Sequence, residues 1–349
     1  MKALILAGGT GKRLWPVSRR KQPKQFKPLL GKKSLVKSTY DRIKKGFKTG
    51  DIFISINQEQ RPGIIAELGK SVIKNLIIEP EKKGTAAAIG LACARFKPDE
   101  IIVTVNSDQF IGDVGEYLRV LKRAEQAVKK YPEYLVLIGL KPAYPETGYG
   151  YIKLGRPIDK IGRDQLFNIS GFKEKPNLAT AKRYLKSRGY LWNPACFVFK
   201  AKVMLELFKK YLPAQYQVLA EIKKQPAKLK SEFKKIKKIS IDYGIMEKAD
   251  QMLCLPAAFD WVDVGSWQTI HQILAGHGSK NVSQGSYVNI DSSGNLVYSY
   301  SGKLMATVGV KDSVIIETED AVLVCPKNRS QEVKKIVEEL EKRGWEKYL

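Results

Sequence analysis

No stretch of these 349 residues comes near about 18 consecutive uncharged apolar positions, so no segment reads as a membrane-spanning helix. Met1 leads straight into a strand-like run rather than a signal peptide, and the expectation is a soluble, cytoplasmic protein with no membrane partner. Cysteine is sparse and scattered. Cys93, Cys196, Cys254 and Cys325 stand alone in apolar settings with no CxxC spacing, which reads as reduced core residues and makes structural zinc improbable. His271 and His277 are the only histidines and neither lies in a motif, so histidine acid/base chemistry is not expected to carry a reaction. Acidic residues are few: 35 Asp and Glu against 61 Lys and Arg give a formal charge of +26. Such a surface attracts polyanions. The lysines, however, are spread along the whole chain, often opposite apolar positions at helical spacing, and no nucleic-acid module accompanies them. A solvated surface is the reading, with no nucleic-acid partner; it also suits a thermophilic source. The length accommodates one large α/β domain and a small second one.

What is present is concentrated first in Leu4 to Phe26, LILAGGTGKRLWPVSRRKQPKQF. The apolar run Ala3 to Ala7 reads as a buried strand that empties into Gly8, Gly9 and Gly11. Glycine permits close approach, so successive N–H groups can converge on a phosphate, and Arg13, Arg19, Arg20, Lys21 and Lys24 add positive charge nearby. A Walker A loop would need Gly at position 6 and Ser or Thr at 13, where Leu6 and Arg13 stand; a dinucleotide fingerprint counted from Gly9 would need Gly in place of Leu14. From the glycines alone, a β-turn followed by a solvated basic segment and a distinct anion-binding loop both remain open. Arg13-Leu14-Trp15-Pro16 and Pro23-Lys24-Gln25-Phe26 favour the loop.

With those residues the stretch resembles the signature of the sugar-1-phosphate nucleotidylyltransferases, most closely their guanylyltransferase branch, where Leu-Trp-Pro, Ser-Arg and Pro-Lys-Gln-Phe occur together. The resemblance implies that the loop, including Leu6, Ala7, Gly8, Gly9, Gly11 and Lys12, holds a nucleoside triphosphate. It further implies that Arg13 contacts the phosphates and that Lys24 stabilises the reacting α-phosphate.

Downstream, helix and strand alternate: helices at Ser34 to Lys45, around Gln58 to Ser71 and at Thr85 to Arg95, strands at Asp51 to Ile56, Leu76 to Glu79 and Ile101 to Val105. That rhythm predicts a mostly parallel sheet in an α/β, Rossmann-like domain, with ligands beyond the carboxyl ends of its strands. The segment Glu79 to Ala88 joins strand to helix, with Thr85 expected at the N-cap. Close helix packing and a base-contacting surface both fit these small residues. The resemblance to the family's Thr-Ala-Pro-Ala element implies base contact by Gly84 and Thr85, although Gly84 and Ala87 replace the usual Asn and Pro. Asp108 ends the run IIVTVNSD, suited either to capping a turn or to holding Mg²⁺, which needs only one or two protein carboxylates. The family's Pro-Ala-Asp-His is here Asn106-Ser107-Asp108-Gln109, which keeps the implied metal ligand and places Ser107 beside the nucleotide.

A helix at Val114 to Tyr131 and a strand at Tyr134 to Leu140 precede a less regular region. Gly148, Tyr149 and Gly150 resemble the family's sugar-side turn. In Phe172-Lys173-Glu174-Lys175-Pro176, Glu174 suits sugar hydroxyls and Lys175 the sugar phosphate, although an isolated Glu-Lys pair is commonly plain surface charge. Asn193, in a Trp-Asn strand, is a further implied hydroxyl contact, and Asp242 receives a supporting role. In Trp261-Val262-Asp263-Val264-Gly265-Ser266-Trp267, Asp263 is a carboxylate among apolar residues, costly to bury without a cation. The resemblance implies that it joins Asp108 on the magnesium.

A Gly, Ser, His and Asn-rich linker at 275–284 separates an expected catalytic domain, 1–275, from a small C-terminal β domain, 285–349. The runs YVNI, NLVYS, LMATVGV, SVIIET and AVLVC read as short strands, and Ser330 to Tyr348 as an amphipathic helix. The resemblance implies a β-helix-like module that supports a homodimer, and from the length the expectation is that the isomerase domain of the two-activity relatives is not present. It implies transfer of GMP from GTP to α-D-mannose 1-phosphate. The alternatives are another hexose or base on the same fold, or a non-catalytic nucleotide-sugar or polyanion-binding protein.

Overall fold

Buried β-branched and leucine residues in Lys2–Leu6 (KALIL), Ile52–Asn57, Leu76–Glu79 and Ile101–Asn106 make these the strands of a parallel sheet covered on both faces. In the computed structural model, which describes every residue except Thr10, His277 and Ser279, Lys2–Leu6 lies between Ile52–Asn57 and Ile101–Asn106, parallel to both. The chain divides into two compact units.

The first unit comprises residues 1–8, 40–107 and 111–261. Its ten-stranded sheet runs in the order Met252–Ala257, Asp164–Lys173, Gly150–Ile161, Tyr190–Asn193, Leu135–Leu140, Phe197–Lys200, Ile101–Asn106, Lys2–Leu6, Ile52–Asn57, Leu76–Glu79. The parallel rhythm holds for the N-terminal strands. Beyond them the expectation of a mostly parallel sheet needs refinement, because Phe197–Lys200 is antiparallel to both its neighbours and Gly150–Ile161 forms a long hairpin with Asp164–Lys173. For the hairpin the cause is local: it turns at Gly162, φ +64°, with no intervening helix to carry the chain back in the same direction. Helix Thr85–Arg95 is buried along nearly its whole length, its alanines and Gly90 allowing Phe208 and Leu219 to approach closely.

The second unit comprises residues 9–39, 108–110 and 262–349. Val282–Gln284, Leu296–Ser299 and Ser313–Glu317 stack in parallel register, with Val322–Pro326 antiparallel at the end; Tyr287–Ile290 pairs in parallel with Met305–Val308. This is the stacked-rung geometry of a β-helix. Buried Asn295 ties the turns together: its amide donates to Asn281 Oδ1 at 3.1 Å and to the Val310 carbonyl at 2.8 Å, while its Oδ1 accepts from the Ser313 N–H at 2.9 Å. Leu296, Tyr298, Val314, Ile316 and Leu323 build a core with Leu14, Trp15, Leu29, Trp267 and the helix face Val333, Val337 and Leu340. The expected helix over Ser330 to Tyr348 is confined to Val333–Lys342, because Gly344 at φ +69° breaks it before a final turn at Glu346–Tyr348.

Candidate active site

Lys24 is the centre of the second unit's polar cluster. Pro23, in extended conformation, sets up the single turn Lys24–Phe26, and the Lys24 side chain is turned inward with only 7% of the residue exposed. Its Nζ lies 2.7 Å from Asp108 Oδ2 and donates to the Val264 carbonyl at 2.9 Å. Burial pulls the ammonium down, but Asp108 and Asp263 outweigh it and hold Lys24 above the ordinary lysine value; Arg13 works in the opposite direction. The two aspartates reach the same cation because Gln109–Ile111 pairs with Trp261–Asp263, and the Val264 N–H donates to the Asp108 carbonyl at 2.9 Å. A Cβ at Gly265 would stand 2.9 Å from Asp263 Oδ2, so only glycine leaves that carboxylate its position.

The glycine loop closes on the same lysine. Gly11, at φ +64° and ψ 28°, begins the short turn Lys12–Leu14, and a Cβ there would lie 2.5 Å from Ser18 Oγ and 2.9 Å from Lys24 Cβ. Gly9 is exposed and has open space beside it, with its carbonyl bound by Gln25 Nε2 at 3.3 Å. Arg13 is exposed. Other basic side chains of this stretch are committed elsewhere in the unit: Lys12 to Glu341 at 2.8 and 3.0 Å, Arg20 to Glu341 and Glu346, and Arg19 to Asp320 at 2.7 and 2.9 Å. The sequence offered no sign of these C-terminal partners.

In the first unit, Leu6, Ala7 and Gly8 end their strand beside the neighbouring strand ends. The Leu6 carbonyl accepts from the Ser107 N–H at 3.1 Å, and the Ala7 N–H donates to the Ser55 carbonyl at 2.9 Å. Next to Gly8 lies Glu79, a residue that sequence reasoning passed over. It is 4% exposed and accepts from Ser55 Oγ at 3.1 Å. Burial pushes its carboxyl up to about 7, against the Ser55 hydrogen bond and the charge of Lys82. A carboxylate closing an apolar strand, LIIE, was the available signal. Thr85 is not the N-cap: Gly84 is, at φ +90°, and Thr85 is the first helical residue, its Oγ1 accepting from the Ile241 N–H at 2.9 Å. Tertiary contact, not helix capping, uses the hydroxyl.

A second cluster in this unit gathers the residues expected on the sugar side. Gly150 opens its strand where a Cβ would stand 2.7 Å from Glu174 Oε2. Lys175 takes φ +46°, its N–H donating to the Tyr149 carbonyl at 3.2 Å and its Nζ paired with Glu174 Oε1. Burial lowers the Lys175 ammonium, but the Glu174 hydrogen bond and charge leave it raised. Asn193 Nδ2 donates to Asp242 Oδ1 at 3.2 Å, and Asn193 Oδ1 accepts from the N–H of Ala195, itself at φ +54°. Burial, then the charge of Glu174, push Asp242 up to about 7. The Tyr149 ring meets the edges of Trp192 and Trp261 at 5.4 and 4.8 Å between centroids. Gly148 stays exposed, its N–H on Glu146 Oε1 at 2.7 Å.

His271 is a buried structural residue bound to the Lys280 carbonyl, while His277 lies outside the described residues. Among the described residues no group of three or more His, Cys, Asp and Glu side chains is placed to hold a metal. The pair Asp108 and Asp263 nevertheless fits a hard divalent cation. Two carboxylates already surround a cationic group, and oxygens of a phosphate substrate and water complete such a shell. No helix among the described residues is long and apolar enough to cross a membrane.

A mixed sheet with helices, a glycine loop closing on a buried lysine, and two aspartates beside it define a phosphoryl-handling enzyme class, and comparison with known proteins gives the same class. The profile described as Nucleotidyl transferase matches residues 2–278, and that described as MannoseP isomerase/GMP-like beta-helix domain matches 285–340. The chain belongs to the nucleotidyl transferase family. Its relatives are narrower in kind. It is 33% identical to "Mannose-1-phosphate guanylyltransferase 2" of Escherichia coli O157:H7, over 99% of this chain and 75% of that one. It is 35% identical to "Mannose-1-phosphate guanylyltransferase" of Escherichia coli K12, over 98% and 73%. A crystal structure described as mannose-1-phosphate geranyltransferase from Thermus thermophilus superposes with a TM-score of 0.90 at 33% identity, covering 97% of this chain and 99% of that one. The chain thus spans about three quarters of the curated relatives. Nucleotidyl transferases of this family generally work with a divalent metal.

Proposed function

We propose that this enzyme transfers GMP from GTP to α-D-mannose 1-phosphate, releasing diphosphate and forming GDP-mannose, with Mg²⁺ as the divalent ion. One observation carries the reading: a buried ammonium, Lys24, set against Asp108 and Asp263 under a glycine loop. A phosphate oxygen of the sugar 1-phosphate attacks the α-phosphorus of GTP, and the bond from that phosphorus to the oxygen bridging to the β-phosphate breaks. The attacking oxygen is already anionic, so no strong base is required. What remains is alignment and neutralisation of developing charge.

Lys24 and Arg13 supply positive charge to the phosphates, the N–H groups of Gly8, Gly9, Gly11 and Lys12 bind their oxygens, and Leu6 and Ala7, whose strand end is held by the sheet, shape the floor of the nucleotide site. Gly84, Thr85 and Ser107 face the nucleoside. Glu174 and Asn193 take sugar hydroxyls, Lys175 takes the sugar phosphate, and Gly148, Tyr149 and Gly150 let the backbone approach the hexose. Asp108 and Asp263 would hold Mg²⁺, which when bound withdraws electron density from the phosphates. Residues 1–275 carry catalysis in this reading. Residues 285–349 support a homodimer, and the exposed Val288, Ile290, Val308, Val322 and Val324 of that region favour such a contact. A cytoplasmic location suits the substrates. The test is diphosphate release from GTP and mannose 1-phosphate in Mg²⁺ by wild type and Asp108→Ala. A loss of about 10²-fold or more is expected. Near-normal magnesium-dependent turnover in the variant would refute the assignment.

A further inference from the structure

Asp242 opens a single π-helical turn, Asp242–Met246, a rare geometry that recurs at functional sites. It is 9% exposed, and Glu174 and Asn193 beside it are each 6% exposed. Two non-glycine residues in this cluster, Lys175 and Ala195, hold left-handed conformations at φ +46° and +54°, each costing on the order of 1–3 kcal/mol. Such strain persists only where the surroundings enforce it. The hydrogen bonds name the enforcement: the Ala195 N–H fixes Asn193 Oδ1, and Asp242 Oδ1 fixes Asn193 Nδ2, so the carboxamide has one orientation.

The charges do not balance. Asp242 faces Glu174 and Lys175 from the end of strand Asp164–Lys173 and Asn193 from strand Tyr190–Asn193, while Tyr243, on its own turn, acts on Lys175. Glu247 is occupied separately, accepting from the Glu174 N–H at 3.0 Å and pairing with Lys173 at 3.2 Å. Two buried carboxylates therefore meet one ammonium.

We propose that Asp242 is a positioning residue of the sugar-phosphate site: it orients the Asn193 carboxamide and, as the second carboxylate facing Lys175, sets the charge that an incoming sugar phosphate meets. The inference rests on the function proposed above. When Asp242 carries its proton, Glu174 and Lys175 cancel and the phosphate competes for Lys175 without a surplus negative charge. When Asp242 is ionised, that surplus opposes a dianion. Burial and Glu174 hold Asp242 above the ordinary carboxyl range, so the ionised form gains as pH rises through neutrality and sugar-phosphate affinity falls.

The experiment measures KM for mannose 1-phosphate and for GTP between roughly pH 6.5 and 8.5 in wild type, Asp242→Asn and Asp242→Ala, with thermal unfolding as the check on folding. Titration of the substrate itself is common to all three. The wild-type KM for mannose 1-phosphate is expected to rise by roughly tenfold over this range, the effect of one lost proton per pH unit partly expressed. Asp242→Asn keeps an acceptor for Asn193 but not the charge, and its profile is expected to be flat to within about twofold. Asp242→Ala loses the acceptor as well as the charge, and its KM is expected to stand about tenfold above that of wild type at about pH 6.5 and to vary little with pH, with KM for GTP unchanged. An Asp242→Asn profile that follows wild type, or an Asp242→Ala KM equal to that of wild type at about pH 6.5, overturns the proposal. Wild type that turns over no mannose 1-phosphate at any pH instead overturns the function on which it rests, and the role of Asp242 falls with it.

Discussion

Replacing Gly84 by alanine tests whether the segment before helix Thr85–Arg95 is as tightly determined as it looks. Gly84 holds φ +90° and ψ 174°, a conformation that is essentially glycine's alone and costs other residues on the order of 1–3 kcal/mol. An added Cβ would stand 2.4 Å from the Ile239 carbonyl oxygen and 3.0 Å from its carbon. Those atoms belong to backbone that is held in place. The Ile239 N–H donates to the Lys83 carbonyl at 3.0 Å, the Ala86 N–H to the Ile239 carbonyl at 3.4 Å, and the Ile241 N–H to Thr85 Oγ1 at 2.9 Å. Overpacking adds about 1–3 kcal/mol, for a total of about 2–6 kcal/mol. That is a large share of the roughly 5–15 kcal/mol that stabilises a typical protein. At on the order of 2 °C per kcal/mol, Tm falls by about 4–12 °C in thermal denaturation followed by circular dichroism. Gly84→Asn, which restores the residue usual in the family, is expected to destabilise too. Gly9→Ala is the control, since nothing lies within 4 Å of its Cβ, and its cost is expected within about 0.5 kcal/mol. A Gly84→Ala protein melting with Gly9→Ala would refute the reasoning.

Glu79→Gln follows from a carboxyl pushed up to about 7. The folded protein holds that proton more tightly than the unfolded chain, so wild type loses stability as pH rises from the ordinary carboxyl range to about 7 and then levels off. The variant escapes this loss, and is expected to exceed wild type by up to about 3 kcal/mol at about pH 8 but to match it near pH 5; the reverse order in denaturant titrations would contradict the cause assigned. Lys24→Ala leaves Asp108 and Asp263 without their cation, and a destabilisation of about 3–5 kcal/mol is expected. Added Mg²⁺ should recover part of the Tm but not turnover, whereas recovery of both would remove Lys24 from the chemistry. Trp267→Ala empties a fully buried site whose indole N–H donates to the Trp15 carbonyl at 3.0 Å, and is expected to cost about 3–5 kcal/mol by urea denaturation. A cost below about 1 kcal/mol would mean that the core around Tyr298 collapses into the gap.

The strands and helices of the N-terminal α/β region were legible because apolar runs and amphipathic periods decide them locally. Leu35–Lys44, Thr85–Arg95 and Val114–Lys130 form within a residue or so of their expected ends. Strand direction was not legible where it depends on partners distant in sequence: nothing local to Phe197–Lys200 dictates that it runs against Ile101–Asn106. Thr85 reads as a cap because hydroxyls favour that position, yet its Oγ1 serves Ile241, and glycine takes the cap. In the site, the residue types of the loop and of Asp108 and Asp263 stood out by pattern. That Lys24 binds Asp108, far along the chain, or that Arg19 and Arg20 turn to Asp320, Glu341 and Glu346, is a tertiary fact with no local trace. Asp242 and Glu79 were understated for a related reason. Burial sets their protonation, and burial is decided by the whole fold.

Transfer of GMP to mannose 1-phosphate is best tested by diphosphate release from wild type with Mg²⁺ over a matrix of nucleoside triphosphates against hexose 1-phosphates. A dominant rate is expected for GTP with mannose 1-phosphate. A dominant rate for another pair would contradict the substrate assignment, and silence throughout the matrix would contradict the catalytic reading of Lys24, Asp108 and Asp263.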